Sequence, residues 1–159
     1  MNATSVHTFQ PLKSSLLLCL MFLSCGMGSY SGPADAVQSI EALRKACGLP
    51  APCGASIDWE GRPVAVEGRV DGVNVFDKRR YPNLPYEKFR LHDNRGNSLE
   101  VWAVAADNGP IFDKLARRRS EKIVVRGRLA AVKAPVQGAC QLGVKVLVDH
   151  ADQIELPTS

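Results

Sequence analysis

Histidine is scarce in this 159-residue chain: there are three, and beyond residue 36 only His92 and His150 remain. A nucleophile–base pair needs Ser or Cys close to a base, most often His. The Asp and Glu residues do not recur at the spacing of a metal loop. Gly68, Gly72 and Gly127 are single glycines rather than parts of a phosphate-binding loop. The sequence therefore predicts a protein that is not an enzyme and that needs no metal or cofactor.

A hydrophobic run long enough to cross a membrane is also lacking. The apolar run at residues 16–23 is much shorter than the ~20 residues that a transmembrane helix needs. Lys13 precedes this run, and the small-residue stretch after it ends in Ala34, Asp35 and Ala36. A basic residue, a short apolar core and an A-x-A site are the parts of a secretory signal. We therefore expect residues 1–36 to be a signal peptide and the mature chain to be periplasmic or secreted, with no membrane span.

A second processing route begins at Cys25. Residues 23–26 (LSCG) resemble the lipobox of bacterial lipoproteins, in which the cysteine carries lipid and becomes the new N-terminus. The resemblance is partial, because Phe22 stands where Leu is usual and Leu23 where a small residue is usual. We favour cleavage after Ala36 and keep a lipid-anchored form through Cys25 as the alternative.

The cysteines fit an exported protein. Two of the five fall within the leader, which leaves Cys47, Cys53 and Cys140. In an oxidising compartment a pair is expected to close and one thiol is left over. Cys47 with Cys53, across a proline-rich turn, is the simplest predicted disulfide, and Cys140 with either of them is the alternative. Zinc is less favoured, because His92 and His150 do not lie at finger-like spacing from the cysteines.

Hydrophobic periodicity predicts one short helix and then strands. Between residues 37 and 47 apolar residues recur at three- and four-residue steps, as on a helix face, and Gly48 followed by Pro50 predicts the helix end. Residues 37–61 are taken as this helix with its cysteine-containing turn. Beyond them, alternation and turn residues predict strands at 64–76, 88–91, 98–105, 123–132 and 143–156, with a loop at 77–87, a turn at 93–97 and a helix capped by Asn108.

Five strands with one helix between the third and the fourth resemble the oligonucleotide/oligosaccharide-binding (OB) barrel. Residues 66–70 (VEGRV) and 125–129 (VRGRL) are similar to the V-x-G-x-[VL] strands of its nucleic-acid-binding, anticodon-binding-like branch. Strands one and four are neighbours in such a barrel, so the resemblance implies a shared bend at matched glycines, Gly68 and Gly127. It implies a mainly β fold: a small five-stranded OB-like barrel over residues 62–157, preceded by a short helix, in an exported bacterial protein. An SH3-like or other small β-barrel is the alternative.

The resemblance also implies a ligand face, because OB barrels bind with the loop after strand one and the surface of strands two and three. Here that region interleaves aromatic side chains, which stack on bases or sugars, with cations, which attract phosphates. The alternative for Phe76, Phe89 and Trp102 is a place in the core, and for residues 78–80 a solvated loop. The predicted ligand-binding residues are Lys78, Arg79, Arg80, Tyr81, Tyr86, Lys88, Arg90 and Trp102.

The net charge of +4 permits an acidic partner without requiring one. Because export removes regular access to nucleic acids, we expect a non-catalytic binding module of the cell envelope whose partner is a protein, a glycan or another anionic component. Residues 117–119 (RRR) with Lys122 offer a second docking point, or simply complement a helix C-terminus. Two alternatives stay open: a single-stranded nucleic-acid-binding protein, and a thiol- or metal-dependent enzyme built on Cys53, Cys140 and His150.

Overall fold

A computed structural model describes residues 36–103, 109–118 and 120–157. The predicted leader at 1–36, apart from its last residue, the predicted cap Asn108, and Arg119 lie outside these residues. The elements, in chain order, are β1 (Val37–Ser39), α1 (Ile40–Ala46), β2 (Ala51–Pro52), β3 (Pro63–Phe76), β4 (Glu87–His92), β5 (Ser98–Ala103), α2 (Gly109–Arg117), β6 (Lys122–Val136), β7 (Ala139–Val148), a 3₁₀ turn (Ala151–Gln153) and β8 (Ile154–Glu155).

Five of these strands close into a barrel. β3 pairs with β4, β4 with β5, β5 in parallel with β7, β7 with β6, and β6 returns to β3. The helix α2 lies between the third and the fourth barrel strands, β5 and β6. This strand order and helix position confirm the predicted OB-like barrel with its mainly β composition.

Period-two alternation places one set of side chains inside the barrel and the other set outside. In β4 and β5 the residues Phe89, Leu91, Leu99 and Val101 are buried, while their neighbours in sequence are half-buried or exposed. Phe89 meets Phe112 of α2 edge-to-face, with ring centroids 5.8 Å apart. Of the two places predicted for Phe89, the core and the ligand face, the structure shows the core.

The segment before β3 joins the barrel more closely than the sequence suggests. Residues 37–39, predicted as helix, form β1, which pairs in parallel with β3. The helix begins only at Ile40, after the Ser39 hydroxyl accepts a hydrogen bond from the Ala42 amide. Ile40 and Leu43 are completely buried in the barrel core. Gly48, in the left-handed region with φ of +67°, follows the helix as predicted.

Gly68 and Gly127 lie in β3 and β6, which are neighbours as expected, but the two glycines do not face each other. Gly68 pairs with Ile123 and Gly127 pairs with Val64. The expectation of matched glycines is therefore wrong, and each has its own steric reason. A Cβ on Gly127 would lie 2.3 Å from the Leu147 carbonyl oxygen of β7, closer than any real contact. Glycine lets the two backbones approach there.

The disulfide joins Cys53 to Cys140, with Cα atoms 5.5 Å apart, and the predicted Cys47–Cys53 pair is wrong. The reason is the antiparallel pairing of β2 with β7, which brings residues 51–52 beside 141–142. Cys47, at the end of α1, is a buried free thiol, and burial raises its pKa. The alternative pairing through Cys140 is thus confirmed.

The last predicted strand, 143–156, is interrupted. β7 ends at Val148, His150 precedes the 3₁₀ turn, and β8 then pairs with β6. The Gln153 side chain accepts hydrogen bonds from the backbone amides of Asp149 and His150, which stabilises this turn. His150 is therefore not a strand residue. Over the part of the chain that the structure describes, no helix is long and apolar enough to cross a membrane.

Candidate ligand-binding face

Outward-facing side chains on four neighbouring barrel strands form one surface, which we call the outer face. Its central row consists of directly paired residues: Phe76 of β3, Lys88 of β4, Trp102 of β5 and Leu147 of β7. The next row contains Arg90, Glu100 and Lys145, again at paired positions. Alternation along each strand produces this surface, because the residues between these positions point into the core. With Tyr86, which directly precedes β4, the outer face is defined as Phe76, Tyr86, Lys88, Arg90, Glu100, Trp102, Lys145 and Leu147.

Trp102 is enclosed between two other side chains of the outer face. The Tyr86 ring stacks on it with centroids 3.7 Å apart and an interplanar angle of 12°. The Lys145 Nζ lies 3.1 Å from the Trp102 ring centroid. Two groups this close to one ring cannot share a side of it, so Tyr86 covers one side and the ammonium covers the other. An incoming aromatic ring reaches the indole only after Tyr86 or Lys145 moves.

Glu100 is the carboxylate at the centre of the outer face. Its oxygens accept hydrogen bonds from the Trp102 Nε1 at 2.8 Å and the Lys88 Nζ at 3.2 Å, and the Arg90 guanidinium lies 3.7 Å away. Burial disfavours the charged form, but these donors and cations outweigh it and hold the pKa of Glu100 below its usual value. Burial lowers the pKa of Lys145, against the opposing charge of Glu100. The outer face therefore contains three cations and one carboxylate, and its net charge is positive.

Arg79, predicted as a ligand-binding residue, is engaged within the protein. Its guanidinium binds the Asp77 carboxylate, meets both Asp113 oxygens at 2.9 and 3.1 Å, and donates to the Gly109 carbonyl oxygen at 3.1 Å. The hydrogen bond from Arg79 lowers the pKa of Asp77, although burial opposes this. Arg79 thus ties the loop at 77–86 to α2, and its charge is already compensated by two carboxylates.

The rest of that loop presents exposed groups beside the outer face. Tyr81 is 48% exposed and touches the Phe76 ring at a centroid distance of 5.6 Å. Residues 80–84 line a shallow cavity of about 370 Å³. Arg80 is exposed, and Lys78 is half-buried with its backbone amide bonded to Glu87. This loop forms a rim of cationic and aromatic groups at one end of the outer face.

Glu87, at the start of β4, is a buried carboxyl group beneath the loop. It is 4% exposed, and among the described residues its Oε2 has no hydrogen-bond partner. Burial raises its pKa, and the negative charge of Asp77 adds to this, while the hydrogen bond from the Lys78 amide opposes it. Sequence reasoning missed this buried carboxyl group, because it assigned Glu87 to the polar loop at 77–87 and not to β4.

Of the predicted ligand-binding residues, the structure brings Tyr86, Lys88, Arg90 and Trp102 together on the outer face. Lys78, Arg80 and Tyr81 lie on the rim, and Arg79 is turned to α2. Sequence reasoning missed Glu100 and Lys145. Both lie between buried apolar residues, so the strand pattern placed them outside, but only the tertiary pairing of β5 with β7 places them together.

The residues predicted for a thiol- or metal-dependent enzyme are either far from one another or engaged in structural contacts. Cys53 and Cys140 are bonded to each other, Cys47 is buried, and His150 caps the 3₁₀ turn. Within the described residues, no three His, Cys, Asp or Glu side chains are grouped as metal ligands.

A closed barrel of five strands, with one helix between the third and the fourth, defines the chain as an OB-like domain. No family model matches the sequence, and no curated protein matches it. Similar solved structures include an OBody bound to hen egg-white lysozyme, with 17% identity and a TM-score of 0.42, covering 62% of this chain and 82% of that one. The single-stranded DNA-binding protein of Plasmodium falciparum, in complex with single-stranded DNA, has 11% identity and a TM-score of 0.42, covering 60% and 94%. A small single-stranded DNA-binding protein from Streptomyces coelicolor has 19% identity and a TM-score of 0.40, covering 62% and 95%.

Proposed function

We propose that this OB-like domain is a non-catalytic binding module that holds single-stranded nucleic acid on its outer face. The observation that supports it is the row Phe76, Lys88 and Trp102, in which aromatic and cationic side chains alternate at directly paired positions of adjacent strands. Rings of this kind stack on bases irrespective of sequence, at about 1–3 kcal/mol per base, while the cations between them attract phosphates.

Charge on the outer face favours an anionic polymer. Lys88, Arg90 and Lys145 all lie near Glu100, and Arg90 also interacts with the charge of Asp71. Phosphate oxygens compete with these carboxylates for the same donors. Each cation that neutralises a phosphate of a single strand steepens the dependence of log affinity on log salt by about 0.7. Three cations therefore correspond to a slope of about −2.

Lys145 couples stacking to phosphate binding. A base that stacks on the side of Trp102 covered by Lys145 displaces the ammonium from its position 3.1 Å from the ring centroid. The displaced ammonium is then free to meet a phosphate of the same strand. We therefore expect Lys145→Met, which keeps an unbranched side chain of similar bulk but removes the charge, to flatten the salt slope while leaving base stacking possible.

The test is fluorescence anisotropy of a labelled oligothymidylate titrated with the full chain between about 50 and 200 mM salt. The expected result is binding with a slope of about −2, reduced by about 0.7 for Lys145→Met and by about 1.4 for Lys88→Gln with Arg90→Gln. Lys45→Gln is the matched control, since Lys45 is exposed on α1 and away from the outer face. Absence of salt-dependent binding, or an equal effect of Lys45→Gln, would refute the proposal.

A second candidate is an anionic partner in the cell envelope. It is favoured by the signal-like pattern of residues 1–36 and by the Cys53–Cys140 disulfide, a bond that persists in oxidising compartments. The mass of the intact protein from its own host tests this candidate. A chain that lacks residues 1–36, or that carries lipid on Cys25, supports export, while a full-length reduced chain contradicts it.

A further inference from the structure

Three basic residues face one another at the opposite end of the barrel surface from the loop at 77–86. Lys122 of β6 pairs directly with Arg69 of β3, and Arg69 pairs directly with His92 of β4. All three point outward, because their neighbours Ile123, Gly68 and Leu91 are buried. Cations directly opposite one another across strands destabilise a sheet unless a counter-charge lies between them.

Two carboxylates, Glu67 and Asp93, lie at this place, and neither of them pairs with Arg69. Glu67 binds Lys122 at 2.7 Å. The Asp93 carboxylate accepts hydrogen bonds from the Asn97 amide at 2.8 Å and its Nδ2 at 2.7 Å, and so belongs to the β4–β5 turn. Among the described residues Arg69 has no ion pair, and its Nη1 donates only to the Ser120 carbonyl oxygen at 2.8 Å.

Two other outward arginines of the same sheet, unlike Arg69, form ion pairs with carboxylates. Arg126 binds the Glu155 carboxylate at 2.6 Å, and Arg128 binds the Asp149 carboxylate at 3.1 Å. The sheet therefore supplies carboxylate partners for neighbouring arginines but leaves the charge of Arg69 uncompensated. This difference points to an external anion.

The three basic residues border a cavity of about 230 Å³, which is also lined by Ser39, Glu67, Gly68, Asp93 and Asn94. We call it the basic recess. The volume is sufficient for a tetrahedral oxyanion with water beside it, at ~30 Å³ per water. The free side of the Arg69 guanidinium offers a donor fork that matches two oxygens of one phosphate, and Lys122 adds a point charge.

We propose that the basic recess binds a phosphate group, with Arg69 as the bidentate donor and Lys122 and His92 as flanking donors. The group is a free phosphate or a phosphate of a strand that continues from the outer face, since His92 is two residues from Arg90 on the same side of β4. The recess is argued from its own charges and pairing, so it does not depend on the function proposed for the outer face.

The test follows the imidazole resonances of His92 by NMR in the full chain, assigned with His92→Gln, while inorganic phosphate replaces chloride at constant ionic strength. The expected result is a saturable change in the His92 chemical shifts. The affinity for phosphate obtained from it should fall at least about tenfold in Arg69→Gln, as for the loss of a charge-assisted hydrogen bond. Arg69→Lys keeps the charge without the fork and is expected to fall between the two. Arg128→Gln, an outward arginine of the adjoining strand, is the matched control and should bind phosphate like the parent.

A parallel titration with oligothymidylate distinguishes the source of the phosphate, with Trp102 fluorescence read in a Trp59→Phe background. A His92 response to phosphate, with Trp102 silent toward the oligonucleotide, supports the recess and refutes binding on the outer face. A response of both groups to the oligonucleotide alone supports a strand phosphate in the recess. A His92 shift that does not saturate with either ligand, or that persists unchanged in Arg69→Gln, overturns the inference.

Discussion

Gly127→Ala is the perturbation whose effect on the barrel follows most directly from the structure. The added Cβ would lie 2.3 Å from the Leu147 carbonyl oxygen and 2.6 Å from the Val146 Cγ1. Backbone cannot rotate away as a side-chain end does, so β6 and β7 must separate where Arg128 pairs with Leu147. The closure of the barrel is directly affected.

The change in the free energy of unfolding combines two destabilising contributions with one stabilising contribution. Overpacking a tight site costs about 1–3 kcal/mol, and a weakened hydrogen bond between β6 and β7 adds about 1 kcal/mol. Alanine restricts the unfolded chain relative to glycine and returns about 0.5–1 kcal/mol. The net loss of unfolding free energy is therefore expected to be about 1–3.5 kcal/mol, a substantial part of the ~5–15 kcal/mol typical of a domain.

Urea denaturation followed by circular dichroism, with the disulfide intact, measures this loss as a lower midpoint at an unchanged slope. Gly143→Ala is the matched control in β7: its Cβ would meet the Val132 Cγ1 at 3.3 Å and the Val132 carbonyl oxygen at 3.8 Å. The movable side-chain end can give way, so we expect a change within about 0.5 kcal/mol. Equal stability of Gly127→Ala and the parent, or equal losses in the two variants, would refute the steric argument.

Two further predictions concern stability. Burial raises the pKa of Glu87, so the folded state holds the carboxyl proton more tightly than the unfolded state does. The contribution of Glu87 to the free energy of unfolding is therefore greatest below the unfolded-state pKa of about 4.3, and it is lost as the pH rises through the folded-state pKa. Glu87→Gln should flatten this decline in urea titrations at a series of pH values, and an unchanged or steeper decline would contradict the assignment. Replacing Cys53 and Cys140 together by Ala opens a loop closed across 87 residues and should cost roughly 4 kcal/mol by loop entropy, measured by urea denaturation; a loss below about 1 kcal/mol would contradict this role.

Much of the candidate site was predictable because strand alternation is a local property. The alternation of β4 and β5 predicts that Lys88, Arg90 and Trp102 share one side, and the structure agrees. Alternation could not indicate that Lys145 covers Trp102, since that contact depends on the parallel pairing of β5 with β7. Nor could it indicate that Arg79 turns to Asp113, a residue 34 positions away on α2.

By itself the sequence indicated the five barrel strands and the helix α2 in their order, because periodicity, glycines and turn residues act over a few neighbouring positions. The OB-like architecture came from the resemblance of residues 66–70 and 125–129 to strands of that fold. Only the tertiary structure decided which cysteines join, since β2 had to pair with β7 before Cys53 met Cys140. It also decided which cations remain uncompensated. The sequence specifies the charge of each side chain. Its partners depend on which strands pair, and these strands are far apart along the chain. The free energy of an ion pair depends on the distance between the two charges, which only the tertiary structure sets.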